Sequence, residues 1–187
     1  NLENKTKPSH NTLMLKKPSF SELIYEIDPI IIEFTSRFFS KLELQNIIID
    51  ISHRKLVESY INKIFEVNDP QIVSDMLRAV DKIQKKPKQQ IISEYKETGY
   101  SATKLEKIIE FSEISGTPSE IIEKIDVYSL DSWDEITYIF DSLKNRGVSN
   151  IRINLGIVRG LDYYSGIVFE AFDTTFDIGS LVGGGRY

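Results

Sequence analysis

Short apolar runs typical of β-strands recur toward both ends of the chain. Residues 47–51 are β-branched except for Asp50, a composition that predicts a central strand. Residues 151–155 alternate apolar and polar side chains, which predicts a strand with one buried face. Two more strands are predicted over residues 163–172 and 179–182.

Residues 20–27 also alternate, though imperfectly, and we predict a strand there. One face of this strand would carry Phe20, Glu22, Ile24 and Glu26. Asp28 and Pro29 predict the start of a helix, with Asp28 as the N-cap and Pro29 in the first turn. The residues expected to form the buried stripe of that helix are Ile31, Phe34, Phe38 and Leu42.

Residues 67–127 are rich in Lys and Glu and lack a convincing strand pattern. A helix start is predicted at Asp69-Pro70, and two more are predicted at capping boxes, residues 117–120 and 132–135. The helix that starts at residues 132–135 is expected to end near Gly147. Strands separated by a helical block predict an α+β fold with an inserted all-helical subdomain. We therefore divide the chain into core residues 1–66, a helical insertion at 67–127 and core residues 128–187.

The composition mainly excludes certain classes of protein and site. With 41% hydrophobic and 27% charged residues, the 187-residue chain is globular rather than disordered. It has no Cys and only two His, far apart, so neither a disulfide framework nor a protein-bound metal is expected. The net charge of −5 means that any RNA contact requires a local basic patch. Neither a membrane-spanning run nor a signal peptide is recognised.

The most informative chemistry lies in residues 159–166, Arg-Gly-Leu-Asp-Tyr-Tyr-Ser-Gly, here called the first signature. Arg159 offers a forked donor for a carboxylate or phosphate. Tyr163 and Tyr164 offer flat apolar walls, and their hydroxyls can bond a polar ring. Residues 183–187, Gly-Gly-Gly-Arg-Tyr, are the second signature and again place bare backbone beside a cation and an aromatic ring.

Together the two signatures predict a site for a small zwitterion with an aromatic or heteroaromatic side chain. In the plainer interpretation, the two Tyr are ordinary sheet residues and the glycines only make turns. That interpretation leaves the repeated pairing of Gly with Arg and Tyr unexplained, so we favour a binding site.

The first signature, continuing Ile-Val-Phe-Glu to residue 170, resembles the histidine-specific signature of histidyl-tRNA synthetases, and the second signature resembles another motif of that family. A weaker resemblance covers the predicted strand and turn at residues 47–55, where His53-Arg54-Lys55 is a family feature, and reaches residues 20–26. It implies a class II synthetase core, in which helices flank an antiparallel sheet and a helical domain is inserted. It also implies adenylation of histidine by ATP with Mg²⁺, transfer to tRNA, a homodimer and a cytoplasmic location.

The resemblance also implies roles for matching residues. Arg159 corresponds to the catalytic arginine, which contacts the histidine carboxylate and the α-phosphate. Tyr163 and Tyr164 would line the histidine pocket, with Tyr164 facing the imidazole. The remaining expected contacts to histidine come from the second signature, at Gly183, Gly184, Gly185 and Tyr187.

Two acidic residues complete the expected pocket. Glu26 falls where the family has an acidic residue that accepts a hydrogen bond from an imidazole N–H. A carboxylate there would select a ring with an N–H donor, because a ring without one would leave the buried carboxylate unpaired. Glu22 falls where the family usually has Gln near the α-amino group, so this position departs from the family pattern. In the alternative interpretation, both carboxylates lie on the solvated face of an edge strand.

A lysine group in the insertion is a candidate contact for the phosphates of the tRNA acceptor end; it comprises Lys82, Lys85, Lys86 and Lys88. The alternative is an ordinary solvated helix end, since acidic residues lie nearby. His53 is interpreted as a structural residue at a strand-to-helix turn.

Several family features are not recognised, including the loop that holds ATP, the dimer-forming segment and the anticodon-binding domain. We therefore expect a fragment that does not aminoacylate alone, in keeping with a start without Met and an end inside a signature. The main alternative is a non-catalytic paralogue, such as an ATP phosphoribosyltransferase regulatory subunit or a histidine- or tRNA-sensing domain. A plain helical RNA-binding module is a third possibility.

Overall fold

The computed structural model describes residues 20–83, 86–158, 164–176 and 178–187, with side chains from residue 26 onward in those ranges. The elements in chain order are α1 (Phe20–Lys41), β1 (Ile47–His53), α2 (Arg54–Phe65), α3 (Pro70–Ile83), α4 (Lys88–Glu97), α5 (Ala102–Ser112), β2 (Ser115–Gly116), α6 (Pro118–Ile122), α7 (Trp133–Asn145), β3 (Ile151–Asn154), β4 (Ile167–Asp173) and β5 (Ser180–Gly185).

The described strands form one sheet in the order β2-β3-β1-β4-β5. Strand β1 pairs parallel to β3, and the other neighbours are antiparallel. This sheet, flanked by helices, confirms the predicted α+β class, and the parallel β1–β3 pair is an addition to the expected antiparallel pattern. Strands were correctly predicted at residues 47–51, 151–155 and 179–182. In the strand predicted over residues 163–172, β4 begins at Ile167, and residue 163 lies outside the described residues.

The two faces of the sheet differ in character. On the apolar face, Ile49, Ile51 and Ile153 are fully buried in the main hydrophobic core together with helices α2 and α7. The opposite face is here called the polar face; at alternate positions of the strands it carries Asp50, Ser52, Arg152, Asn154, Val168 and Glu170. Because the polar face also carries Val168, which pairs with Gly185 of β5, this face positions the candidate site.

The strand predicted over residues 20–27 is wrong, because these residues form the first two turns of α1. Glu22 and Glu26 are four residues apart, a spacing that suits one helical face as well as one strand face. Asp28 is consequently not an N-cap, and Pro29 lies inside the helix. Pro29 removes only one backbone donor, and α1 continues on both sides of it.

The predicted buried stripe of α1 is also wrong. Its four residues are exposed: Ile31 by 50%, Phe34 by 68%, Phe38 by 49% and Leu42 by 54%. The buried side instead carries Ile32, Thr35, Ser36 and Phe39. The Ser36 hydroxyl lies 2.7 Å from the Asn150 side-chain oxygen, so polar contacts fix this side against the loop before β3.

Residues 67–127 form α3 to α6, and β2 joins them to the sheet by pairing with β3. The Tyr60 ring of α2 stacks on Phe111 of α5, with centroids 3.9 Å apart, and one hydrophobic core includes both regions. The Thr117 capping box is confirmed. The one at Ser132 is wrong, since Ser132 has a left-handed backbone and its side chain makes no capping bond. The division into core and insertion stays a prediction.

Candidate functional site

The end of the first signature leads into β4, and the second signature lies on the neighbouring strand β5. Val168 of β4 pairs with Gly185 of β5. Just beyond this pair, the Ser165 N–H donates to the Arg186 carbonyl at 2.9 Å, and the Arg186 N–H donates to the Ile167 carbonyl at 2.9 Å. Backbone hydrogen bonds therefore fix the second signature beside the C-terminal part of the first. Arg159 and Tyr163 lie outside the described residues.

Gly185 is required by a close contact with Tyr164. A Cβ at Gly185 would lie 2.7 Å from Tyr164 Cδ1 and 2.7 Å from the Ile167 carbonyl oxygen, closer than a real side chain tolerates. Bare backbone thus lets the Tyr164 ring lie directly against β5. The predicted proximity of Tyr164 to the second signature agrees with this geometry.

Tyr164 is held by apolar neighbours and is only 8% exposed. It forms a small hydrophobic cluster with Ile157 and Val168. A cavity of about 10 Å³, with room for roughly one water molecule, lies beside the ring and is also lined by Arg54 and Leu77. The ring is therefore a fixed wall rather than a mobile surface side chain.

The other glycines of the second signature point to opposite faces of the sheet. A Cβ at Gly184 would lie 2.8 Å from Phe169 Cε1, which places Gly184 on the apolar face. Gly183 pairs with Glu170 on the polar face. Tyr187 is 87% exposed. Among these residues, Gly183 and Gly185 share a face with Tyr164, and Gly184 serves packing.

Arg186 of the second signature anchors a buried ionic network that the sequence analysis missed. Its Nη1 lies 3.0 Å from Asp28 Oδ2 of α1, and its Nη2 contacts Glu135 Oε1 of α7. The guanidinium passes directly over Gly166, where a Cβ would collide with it. Arg186 therefore joins both signatures to two helices.

His53 belongs to the same network. It is fully buried at the end of β1, and its Nε2 lies 3.3 Å from Glu135 Oε2. This distance permits an ionic contact, but the orientation falls short of a hydrogen bond, and neither ring nitrogen has a hydrogen-bond partner among the described residues. The structural interpretation of His53 agrees with this position.

The network shifts the pKa of two carboxyl groups in opposite directions. Burial raises the pKa of Asp28, and the neighbouring Arg186 charge offsets part of that effect. Burial would also raise the pKa of Glu135, but His53 and Arg186 outweigh it and lower that pKa to about 2. Glu135 therefore stays ionised at neutral pH and holds Arg186 in place.

A second polar cluster lies on the polar face. Asp50 is 1% exposed and accepts from Arg152 Nε at 2.5 Å, from Arg152 Nη2 at 3.0 Å and from Asn154 Nδ2 at 2.7 Å. Asn154 Oδ1 in turn accepts from the Gly156 N–H at 3.0 Å. The signal that could have revealed it is Asp50 itself, an acid inside a β-branched run that needs a cationic partner.

Glu26 does not lie among these groups. It is exposed; Tyr138 Oη of α7 donates to it at 2.9 Å, and Nη2 of Arg146, the residue after α7, lies 3.3 Å away. The strand on which its expected role depended is absent, and the side chain of Glu22 lies outside the described part of the chain. A histidine-binding role for either residue stays a prediction without geometric support.

The lysine group is largely neutralised by acids where it is described. Lys86 lies 2.6 Å from Glu94, Lys82 lies 3.7 Å from the same carboxylate, and Lys88 contacts Glu113. Lys85 is outside the described residues. Acidic neighbours thus favour the solvated-helix interpretation, and the tRNA contact stays a prediction.

Metal and membrane features were searched within the described ranges. No group of three or more His, Cys, Asp or Glu side chains there could hold a metal ion. In the same ranges, every helix is too short or too polar to cross a bilayer.

A helix-flanked sheet in which the first signature leads into one strand and the second signature lies on the neighbouring strand fits the fold of a class II aminoacyl-tRNA synthetase catalytic domain. Within that class the chain belongs to the histidyl-tRNA synthetase family, whose family model matches residues 25–187. This membership confirms the resemblance drawn from the two signatures.

Relatives named histidine–tRNA ligase cover most of the chain. The one from Finegoldia magna is 34% identical over 145 residues, which are 73% of this chain and 33% of the relative. The one from Clostridium tetani is 35% identical over 159 residues, which are 80% of this chain and 35% of the relative. The chain thus spans about a third of the length of these relatives.

Solved structures show the same fold. A histidyl-tRNA synthetase from Nostoc sp. PCC 7120 matches with a TM-score of 0.78 at 22% identity, covering 87% of this chain and 40% of that one. A Bacillus halodurans protein described as an ATP phosphoribosyltransferase regulatory subunit/histidyl-tRNA synthetase matches with a TM-score of 0.68 at 19% identity, covering 87% and 43%. At these identities the likeness concerns the fold alone.

Proposed function

We propose that this chain forms the histidine-recognition part of an enzyme that activates histidine with ATP and transfers it to tRNA. The observation that carries the proposal is the packing of Tyr164 directly against Gly185, which joins the two signatures into one wall. A fixed aromatic ring beside bare backbone suits a small amino acid with a flat heteroaromatic side chain.

The proposed chemistry has two steps. A histidine carboxylate oxygen attacks the α-phosphorus of ATP, a P–O bond forms, and pyrophosphate leaves. A ribose hydroxyl at the tRNA end then attacks the acyl carbon, and AMP leaves. Arg159 is the proposed cation that neutralises charge on the carboxylate and α-phosphate during the first step.

The residues around this reaction would divide the work. Tyr163 and Tyr164 would flank the imidazole, and Gly183 and Gly185 would let the amino acid approach the backbone of β5. Arg186, held by Asp28 and Glu135, would position the second signature rather than touch substrate. ATP with Mg²⁺ would enter as substrate, and a homodimer and a cytoplasmic location are proposed from family membership.

Histidine binding by the purified chain tests the proposal. Calorimetric titration should show saturable binding of L-histidine and no binding of L-leucine, since leucine lacks a polar ring. Tyr164→Ala should abolish the heat of binding, whereas Tyr128→Ala, which changes a tyrosine that is 72% exposed, should leave it unchanged. A folded chain that takes up neither amino acid would refute histidine recognition.

Pyrophosphate exchange separates the synthetase from the regulatory paralogue, because both could bind histidine. A longer protein containing this chain should show histidine-dependent exchange that Arg159→Ala eliminates. Histidine binding without exchange in that longer protein would instead support a regulatory or sensing role.

A further inference from the structure

Arg54, the first residue of α2, borders both the candidate site and a larger cleft. The cavity beside Tyr164 has a volume of about 10 Å³, and the cleft, between α2 and the start of α3, has a volume of about 360 Å³. Arg54 lines both spaces, and its side chain is only 15% exposed, which is uncommon for an arginine. We propose that Arg54 is a positioning residue that holds Tyr164 in place for histidine recognition, an inference that rests on the proposed function.

The two spaces differ in character. Besides Arg54 and Tyr164, the small cavity is lined by apolar side chains, namely Leu77, Ile157, Val158 and Val168. The larger cleft is lined mainly by polar side chains, namely Glu58, Asn62, Asn68 and Ser74, together with Pro70 and Val73. Since Arg54 is shared by both linings, removing its side chain would connect the cleft to the cavity. Water would then reach the Tyr164 ring, and the ring would gain room to move away from β5.

Helix α2 itself gains little from an arginine at this position. A cation in the first turn opposes the helix dipole, and α2 has no acidic residue in that turn to offset it. Arg54 pairs with Glu58 one turn later, but a cation that precedes its acid is the less favourable order on a helix. The stability of α2 therefore does not explain Arg54, whereas its place beside Tyr164 does.

Two contacts fix Arg54 relative to the first signature. Its backbone N–H donates to the Gly166 carbonyl at 3.0 Å, which connects the start of α2 to a residue two positions after Tyr164. Its Nε donates to Glu58 Oε1 at 2.6 Å, and Glu58 is 29% exposed, so the pair is partly shielded from water. A charge-assisted bond in such a place holds the long side chain in one conformation. Arg54 and Gly185 together then restrict the position of the Tyr164 ring.

Fluorine nuclear magnetic resonance on the chain labelled with 3-fluorotyrosine tests the proposal. The difference in fluorine shift between H₂O and D₂O measures the exposure of each tyrosine, and Tyr164→Phe identifies the Tyr164 signal. In Arg54→Ala, this difference should rise for Tyr164 toward the value of Tyr128, which is 72% exposed. Calorimetric titration of the same sample should show L-histidine binding weakened by roughly 10–100-fold, the range seen when residues that orient metal ligands are lost. A loss of stability alone would change neither readout in the folded protein.

Two further variants serve as controls. Arg54→Lys keeps a long side chain and a cation for Glu58, so it should recover most of the histidine affinity and keep Tyr164 shielded. Arg78→Ala is the matched control: Arg78 is also a helical arginine beside an acid, 3.6 Å from Asp75, but it is 57% exposed and lines neither space. It should change neither readout.

The outcomes separate this inference from the proposed function. If Arg54→Ala leaves both the Tyr164 signal and the histidine affinity unchanged, Arg54 has no positioning role and histidine recognition still stands. A Tyr164 ring that becomes exposed while histidine binds as before would equally overturn the positioning role. A chain that binds no histidine, but exposes Tyr164 in Arg54→Ala, would refute the proposed function and leave the shielding of Tyr164 by Arg54 supported. If Arg54→Ala fails to fold, Glu58→Gln removes the carboxylate that holds Arg54 and should give a smaller change of both readouts in the same direction.

Discussion

Arg186 Nη1 lies 3.0 Å from Asp28 Oδ2, an ion pair between residues 158 positions apart in the chain. Together with Glu135 and His53, this pair connects β5, α1, α7 and β1 at the edge of the candidate site. The network is polar but largely shielded from water. Removing one member leaves a neighbouring charged group of the network short of a partner, which is costly for groups shielded from water.

Glu135→Gln should destabilise the chain by about 3 kcal/mol, because it leaves the guanidinium of Arg186 short of one buried counter-charge. Urea unfolding followed by circular dichroism measures the change. Glu94→Gln is the control, since it removes a carboxylate that pairs with Lys86 at the surface. The control should lose far less stability. Equal losses in both variants would show that the buried network contributes no more to stability than a surface ion pair.

The stability of the chain should depend on the ionisation of Glu135. Its pKa falls from 4.5 to about 2 on folding, so the ionised form stabilises the fold fully above pH 4.5, and this contribution is lost as pH falls toward 2. Asp28 acts in the opposite sense because its pKa is raised from 3.8, so its ionisation on rising pH destabilises the fold. The stability difference between the unsubstituted chain and Glu135→Gln should therefore shrink as pH falls from 5 to about 2.5. A difference independent of pH would contradict the assigned pKa shift.

Gly185→Ala should abolish histidine binding, because its Cβ would displace the Tyr164 ring from β5. A stability loss of about 1–3 kcal/mol should accompany it. Gly99→Ala is the matched control: it strains a backbone with φ of 97° but has no atom within 4 Å of the new Cβ. The control should lose about 1–2 kcal/mol and bind histidine normally. Retained binding in Gly185→Ala would separate Tyr164 from the histidine site.

The correctly predicted elements were those whose local sequence pattern is consistent with only one type of secondary structure. The β-branched run of β1 and the Thr117 capping box carry their signal within a few residues. Asp28 shows the opposite case, because Asp-Pro is a typical helix start, yet here the carboxylate pairs with Arg186 near the other end of the chain. No local pattern encodes a partner so distant, and the same holds for Glu135 with His53.

The candidate site was likewise predicted only in part from the sequence. The two signatures identified Tyr164 and Gly185, since bare backbone beside an aromatic ring is visible in the sequence. The Asp50–Arg152 contact depends on the parallel pairing of β1 with β3, which sequence alone did not predict. The misplaced buried stripe of α1 has a similar cause, because that helix carries large apolar residues on both sides and only tertiary contacts decide which side is buried.

The last prediction follows from the orientation of α1 and compares two phenylalanines on that helix. Phe39 is 7% exposed and belongs to the main core, whereas Phe34 is 68% exposed. Phe39→Ala should therefore cost about 3 kcal/mol through lost burial and a residual cavity. Phe34→Ala should change stability by less than about 0.5 kcal/mol, because it removes no buried contact. Chemical unfolding of both variants measures the two changes side by side. If Phe34→Ala lost as much stability as Phe39→Ala, the side of α1 that carries Phe34 would be buried in solution. Either α1 would then be rotated about its axis relative to this structure, or another protein surface would cover that side.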